Sequence, residues 1–129
     1  MKTAELSMFI VEDDARFRET FIDVMALRGV EASGAGTGAE ALASLRLQQP
    51  SVVLVDVQLP DVHGFDLCRK IRKMEGYKDT PIILMTASTK YNDARDQVEG
   101  LLAGASLFVS KPITMDKLWT EIEELLKRR

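Results

Sequence analysis

Val52-Val53-Leu54-Val55 is apolar at every position and stops on Asp56. Three of the four residues are β-branched, and an unbroken apolar run of this length suits a strand buried on both faces. Pro60 bars further ladder pairing, and Gly64 opens the next helix. A strand buried on both faces needs covering layers above and below it, so the stretch calls for a helix-covered α/β domain. In open α/β sheets the carboxyl ends of the strands carry the chemistry. Asp56 stands on such an end.

The rest of the chain repeats the pattern. Met8-Phe9-Ile10-Val11 is a second buried strand, ending on Glu12, Asp13 and Asp14. The following helix places Phe17, Phe21, Val24 and Met25 near one face and stops at Gly29. Val30 to Ala35 is a weak strand of small residues, expected at a sheet edge. Thr37-Gly38-Ala39-Glu40 has the capping-box form and opens a helix through Leu42 and Leu45. Pro50 separates that helix from the central strand. Gly64 to about Met74 reads as a helix with Leu67, Ile71 and Met74 inward, and Gly76 to Pro81 as a polar connection. Ile82 to Met85 is another buried strand, ending at Thr86. A helix from about Asp93 carries Val98, Leu101 and Leu102, and Gly104 ends it. Leu107-Phe108-Val109 is a short last strand. After Lys111-Pro112, Thr114 caps a helix with Met115, Leu118, Ile122 and Leu125 on one face.

Five strands alternating with five helices predict a doubly wound five-stranded parallel sheet, a flavodoxin-like (βα)5 arrangement. Putting the strong apolar strands in the middle gives the order 2-1-3-4-5, with its switch point between the first and third strands. With 129 residues and no composition break, the whole chain 1–129 reads as one domain. A formal net charge of −3 supplies no basic field for nucleic acid. The apolar runs are too short to span a membrane, and the N-terminus has no signal-peptide pattern. Cys68 is the single cysteine, which excludes an intrachain disulfide and suits a reducing, cytoplasmic setting.

Parallel strands bring Glu12, Asp13, Asp56, Thr86 and Lys111 to one edge. Two carboxylates ~4 Å apart repel by about 4 kcal/mol at an effective dielectric near 20, so a cation and the lysine are expected to neutralise the cluster. Hard oxygen ligands favour Mg²⁺. A carboxylate beside Mg²⁺ can attack a phosphoryl group to give an aspartyl phosphate, with the metal and an ammonium stabilising the transferring oxygens. The Thr86 hydroxyl suits a hydrogen bond to the bound group.

These residues resemble the receiver domain of two-component response regulators over about Met8 to Leu126. Val11-Glu12-Asp13-Asp14 matches the acidic pocket motif. Val53 to Pro60, with Gly64, matches the phosphoacceptor strand and loop. Leu84-Met85-Thr86-Ala87 matches the switch hydroxyl segment, and Gly104-Ala105 to Phe108 with Lys111-Pro112 matches the last strand. The resemblance implies a phosphoacceptor signalling domain rather than an enzyme. Asp56 would take the phosphoryl group from a histidine kinase or histidine phosphotransfer protein. Asp13 would hold Mg²⁺ directly and Glu12 through water, with Asp56 and the Gln58 backbone carbonyl completing the set. Lys111 would pair with a phosphoryl oxygen, Thr86 and Phe108 would form the switch, and the Lys111-Pro112 bond would be cis. The expected output is a downstream protein target or an output domain outside this chain. The expected state is a monomer or a phosphorylation-dependent dimer.

The chain also departs from that family. Phe108 stands where a Tyr is frequent, and His63 where Asp or Asn is frequent. Gln58 and Ser88 line the mouth of the pocket, which leaves the rate of autodephosphorylation open. The Thr86 to Lys111 span is about three residues longer than usual, the excess falling between Ser88 and Asp93. Two other readings compete. Gly34-Ala35-Gly36-Thr37-Gly38-Ala39 fits a G-x-G-x-x-A dinucleotide fingerprint with Asp56 about twenty residues on. An aspartyl-nucleophile phosphatase would want an acid where Gln58 stands. Elsewhere, His63 reads as an exposed loop residue and Cys68 as a passive thiol. Trp119 is equally suited to packing or to a partner surface.

Overall fold

The computed structural model describes residues 6–87 and 93–128. Five parallel strands, β1 (Ser7–Val11), β2 (Glu31–Ala35), β3 (Val52–Asp56), β4 (Ile82–Thr86) and β5 (Leu107–Ser110), form one sheet in the order β2-β1-β3-β4-β5. The helices are α1 (Ala15–Leu27), α2 (Gly38–Leu45), α3 (Gly64–Arg72), α4 (Ala94–Leu102) and α5 (Met115–Lys127). The expected fold and strand order are those observed. The two edge strands, β2 and β5, are the least buried, with one buried residue each, and every residue of β3 and β4 is buried.

Strand alternation divides the core in two. Phe9, Val11, Val53, Val55 and Leu84 face a cluster with residues of α2 and α3, including Leu45, Leu67 and Ile71. Met8, Ile10, Leu54, Ile83 and Met85 face a cluster with Phe21 and Met25 of α1 and Leu118, Trp119 and Ile122 of α5. Trp119 therefore packs in the core, with the Arg28 guanidinium 5.3 Å from its ring centroid. Gly29 and Gly104, at φ 78 and 111, take the left-handed conformation that stops α1 and α4.

Two details differ from the sequence reading, and a third settles what it left open. The segment before β4 is not merely polar: Tyr77 is fully buried, and its hydroxyl donates to the Leu45 and Gln48 carbonyls, both at 2.6 Å. It thereby closes the C-terminal end of α2, whose last carbonyls have no helical partner. Met74 lies just beyond α3, half-buried against the core. On α4, Val98, Leu101 and Leu102 are exposed, and only Gly100 is buried. The Ser88–Asp93 segment, apart from Asp93 itself, lies outside the described residues. Asp93 is the N-cap of α4 and exchanges capping-box bonds with Asp96.

Removing the Tyr77 hydroxyl leaves two carbonyls without their donor. Tyr77→Phe should lower the unfolding free energy by about 1–3 kcal/mol, measured by urea denaturation, with the strand and helix content of the folded state unchanged.

Candidate functional site

The parallel register places the ends of β1, β3, β4 and β5 side by side. Val11 pairs with Val55, Asp56 with Met85, and Thr86 with Ser110. The last residues of β3 and β4, Asp56 and Thr86, and the residues just after β1 and β5, Glu12 and Lys111, therefore fall at one edge, and that edge collects the expected constellation. Glu12 and Thr86 are each 1% exposed and Asp56 is buried, whereas Asp13 faces solvent. One carboxylate oxygen from each of Glu12, Asp13 and Asp56 lies within 4.8 Å of the others.

Lys111, just past β5, reaches across. Its Nζ donates to Glu12 Oε1 and to Asp56 Oδ2, the latter at 3.1 Å. The same ammonium lies 4.5 Å from the Phe17 ring centroid. The Lys111 backbone N–H donates to the Thr86 carbonyl at 2.7 Å, so β4 fixes the start of its side chain. The Lys111-Pro112 peptide is cis, as expected. The other oxygen of Asp56 accepts from the Gln58 N–H at 2.9 Å, which holds the carboxylate against its own loop.

The electrostatics follow from burial and crowding. Burial, then the hydrogen bond and charge of Asp56, push the Glu12 carboxyl up to about 7 against the opposing pull of Lys111. Burial pulls the Lys111 ammonium down, but its bonds and proximity to Glu12 and Asp56 outweigh this and raise its pKa. One ammonium thus serves two of three clustered carboxylates. A hard cation suits the remainder, since all donors are oxygens and the solvent-facing Asp13 leaves room for water ligands.

The loops are pinned by contacts that sequence reading missed. Asp14 is the N-cap of α1, its Oδ1 accepting from the Arg16 and Phe17 N–H groups. Arg18 donates to the Glu12 carbonyl at 2.5 Å. His63 is half-buried rather than exposed: it is the N-cap of α3, its Nδ1 accepts from the Phe65 N–H, and its ring meets Phe65 edge-on at 4.6 Å. An Asp directly before a helical run is the signal that could have found the Asp14 cap; the His63 cap carries no such signal. Phe108 is half-buried, its ring edge-on to Phe65 at 6.2 Å. Ser88 lies outside the described residues. Cys68 is buried, and burial pushes its thiol up to about 11, so it is the passive thiol expected.

The glycine-rich stretch has another occupant than a dinucleotide. At the start of α2 the Gly38 and Ala39 N–H groups donate to the two oxygens of Asp61, at 2.9 and 3.0 Å. A carboxylate from the β3–α3 loop already fills the place a phosphate would take. Gly34 and Gly36 leave room for Arg18: a Cβ on them would come within 3.1 Å and 3.3 Å of its side chain.

A strand-end triad of acids, a threonine and a lysine on this sheet defines a class of α/β signalling domain, and sequence comparison specifies it. The response regulator receiver domain profile matches residues 8–123, and this chain belongs to that family. The transcriptional regulatory protein AfsQ1 of Streptomyces coelicolor is 36% identical over 122 residues, covering 95% of this chain and 52% of that protein. The chain spans about half the length of the curated relatives it matches. Among solved structures, the chemotaxis response regulator CheY4 of Vibrio cholerae superposes with a TM-score of 0.86 at 27% identity, covering 93% of this chain and 98% of that one. The non-phosphorylated HemR receiver domain of Leptospira biflexa gives 0.84 at 30% identity, covering 95% and 94%.

The two N–H bonds hold the Asp61 carboxyl below the ordinary aspartate value. A carboxyl whose pKa is lowered by folding stabilises the fold above its unfolded pKa and ceases to as pH falls through the folded one. Asp61→Asn should therefore be less stable than the parent at pH 7. The gap should close as the pH falls through 3.8 and below, read from urea curves across that range.

Proposed function

We propose that Asp56 accepts a phosphoryl group from a histidine kinase or histidine phosphotransfer protein, and that the resulting aspartyl phosphate resets the surface of α4, β5 and α5. The observation that carries this reading is the single ammonium of Lys111 bonded to both Glu12 and Asp56 beside the solvent-facing Asp13. In the transfer, an Asp56 oxygen forms the new O–P bond while the P–N bond to the donor imidazole breaks and that nitrogen takes up a proton.

Asp13, Asp56 and the Gln58 backbone carbonyl would hold Mg²⁺, with Glu12 reaching it through water. When bound, the metal supplies positive charge to the phosphoryl oxygens. The chain's own groups do the rest. The Gln58 N–H orients the Asp56 carboxylate. Lys111 is already within 3.1 Å of Asp56 Oδ2 and pairs with a phosphoryl oxygen. Thr86, buried at the end of β4 next to β3, turns its hydroxyl toward that group.

The added charge then biases a two-state element. Movement of Thr86 changes the space beside β4 that the Phe108 ring shares with Leu84 and Gly100. Phe108 has no hydroxyl, so packing alone sets its balance. The domain is a phosphoacceptor rather than a turnover enzyme, working in the cytoplasm as a monomer or a phosphorylation-dependent dimer. Its output passes to a downstream protein or to an output domain of a longer regulator, a reading supported by relatives twice its length. Chain 1–129 is then one receiver domain, with no direct contact to nucleic acid or membrane. Among the described residues no helix is long and apolar enough to cross a membrane.

Incubation with acetyl phosphate and Mg²⁺ should add one phosphoryl mass to the intact protein, and Asp56→Asn should abolish it. Gain of that mass by the variant on another pocket acid would refute the assignment. In a second test, Mg²⁺ at 100 times its dissociation constant should raise the unfolding free energy by about 2.7 kcal/mol, and EDTA should reverse this. Asp13→Asn should lose most of that gain. Equal stabilisation of parent and variant would remove the metal from this pocket.

A further inference from the structure

The side chain that meets Lys111 from outside the acid cluster is Phe17, and its placement is not incidental to the site. Glu12 Oε2 accepts from the Asp14 N–H at 3.3 Å, Asp14 Oδ1 accepts from the Phe17 N–H at 3.2 Å, and the Phe17 ring lies 4.5 Å beneath the Lys111 ammonium. Lys111 in turn donates back to Glu12. The four residues close a ring of contacts, so the geometry of the pocket acid fixes where the aromatic face stands. A lysine has four rotatable bonds and a strongly hydrated head that favours water over a fixed position. Here two carboxylates and one ring face bind the ammonium, and its side chain is 13% exposed.

The geometry points to Phe17 as a positioning residue for phosphoryl transfer: its ring face keeps the Lys111 ammonium over Asp56, where the incoming phosphoryl oxygen needs it. This rests on the reading of Asp56 as phosphoacceptor. When Asp56 gains its phosphoryl group, Lys111 exchanges carboxylate partners for a phosphoryl oxygen. The ring is the one neighbour of the three that needs no charge rearrangement in that exchange. An aromatic quadrupole attracts a cation; an aliphatic side chain of similar size does not. The role therefore belongs to the ring and not to apolar bulk, which separates it from the packing that Phe17 also makes against the α1–α5 core.

Phe17→Leu keeps the bulk and removes the quadrupole; Phe17→Tyr keeps both. Two measurements decide. Initial rates of Asp56 phosphorylation by acetyl phosphate with Mg²⁺, followed by intact mass, should fall about three- to tenfold at low donor concentration in Phe17→Leu and stay within about twofold of the parent in Phe17→Tyr. The Lys111 Hε protons of the parent should be shifted upfield by the ring current, and that shift should be present in Phe17→Tyr and absent in Phe17→Leu. A Phe17→Leu rate equal to the parent, or a Phe17→Tyr rate as low as Phe17→Leu, overturns the proposal. So do Lys111 Hε protons at ordinary lysine positions in the parent, a reading that needs no variant to fold. A parent chain that takes no phosphoryl group on Asp56, with the ring-current shift intact, instead refutes the assignment of the reaction: Phe17 then holds Lys111, but for no transfer.

Discussion

The Lys111 ammonium is the contact on which the reactive edge depends. It starts from the end of β5, bonds Glu12 at the end of β1, and bonds Asp56 at the end of β3, crossing β4 through a backbone bond to Thr86. Without it two buried carboxylates would face each other in a poorly solvated place, where like charges repel by several kcal/mol. Glu12 shows the residual tension, since burial and Asp56 push its carboxyl to about 7 even with Lys111 in place. A site strained in this way responds to added charge: any cation or anion entering it must redistribute contacts that reach four strands.

The sheet makes such a crossing possible. Parallel strands in register bring residues far apart in sequence, such as Val11 and Val55 or Asp56 and Met85, to neighbouring ends, and two apolar clusters clamp the strands from both faces. The loops above the edge are then tied by polar caps as well as by the apolar packing of Val57, Leu59 and Val62. Asp14 closes α1, His63 closes α3, and Asp61 ties the β3–α3 loop to α2. Each cap uses a backbone N–H that a helix leaves unsatisfied.

This division explains what was legible in the sequence. Buried strands are written as apolar runs, so β1, β3 and β4 and their order could be read, and with them the meeting of Glu12, Asp56, Thr86 and Lys111. Contacts between a side chain and distant backbone leave no such period. Tyr77 stands among polar residues, and nothing local says that its hydroxyl reaches the end of α2. Asp61 and the glycines at 34, 36 and 38 mimic a nucleotide loop, because a helix N-terminus accepts a carboxylate and a phosphate by the same physics. Only the three-dimensional position of Asp61 and Arg18 separates the two.

The face of α4 was the least legible element, for a reason that bears on output. Val98, Leu101 and Leu102 have helical spacing, but nothing in the sequence says which way they face; they are exposed, while Gly100 sits against the sheet. A Cβ there would lie 3.0 Å from both Leu84 and the Phe108 ring. The helix is thus seated at its closest point by the absence of a side chain, directly over the aromatic residue of β5. Compare α3, which buries Phe65, Leu67, Cys68 and Ile71. Burying a large apolar side chain stabilises by about 1.5–3 kcal/mol, so α4 is held to the sheet by far less apolar burial than α3. Elements with little buried surface reorganise at the lowest free energy. A change of partners at Thr86, two positions along β4 from Leu84, therefore meets its weakest resistance beneath α4.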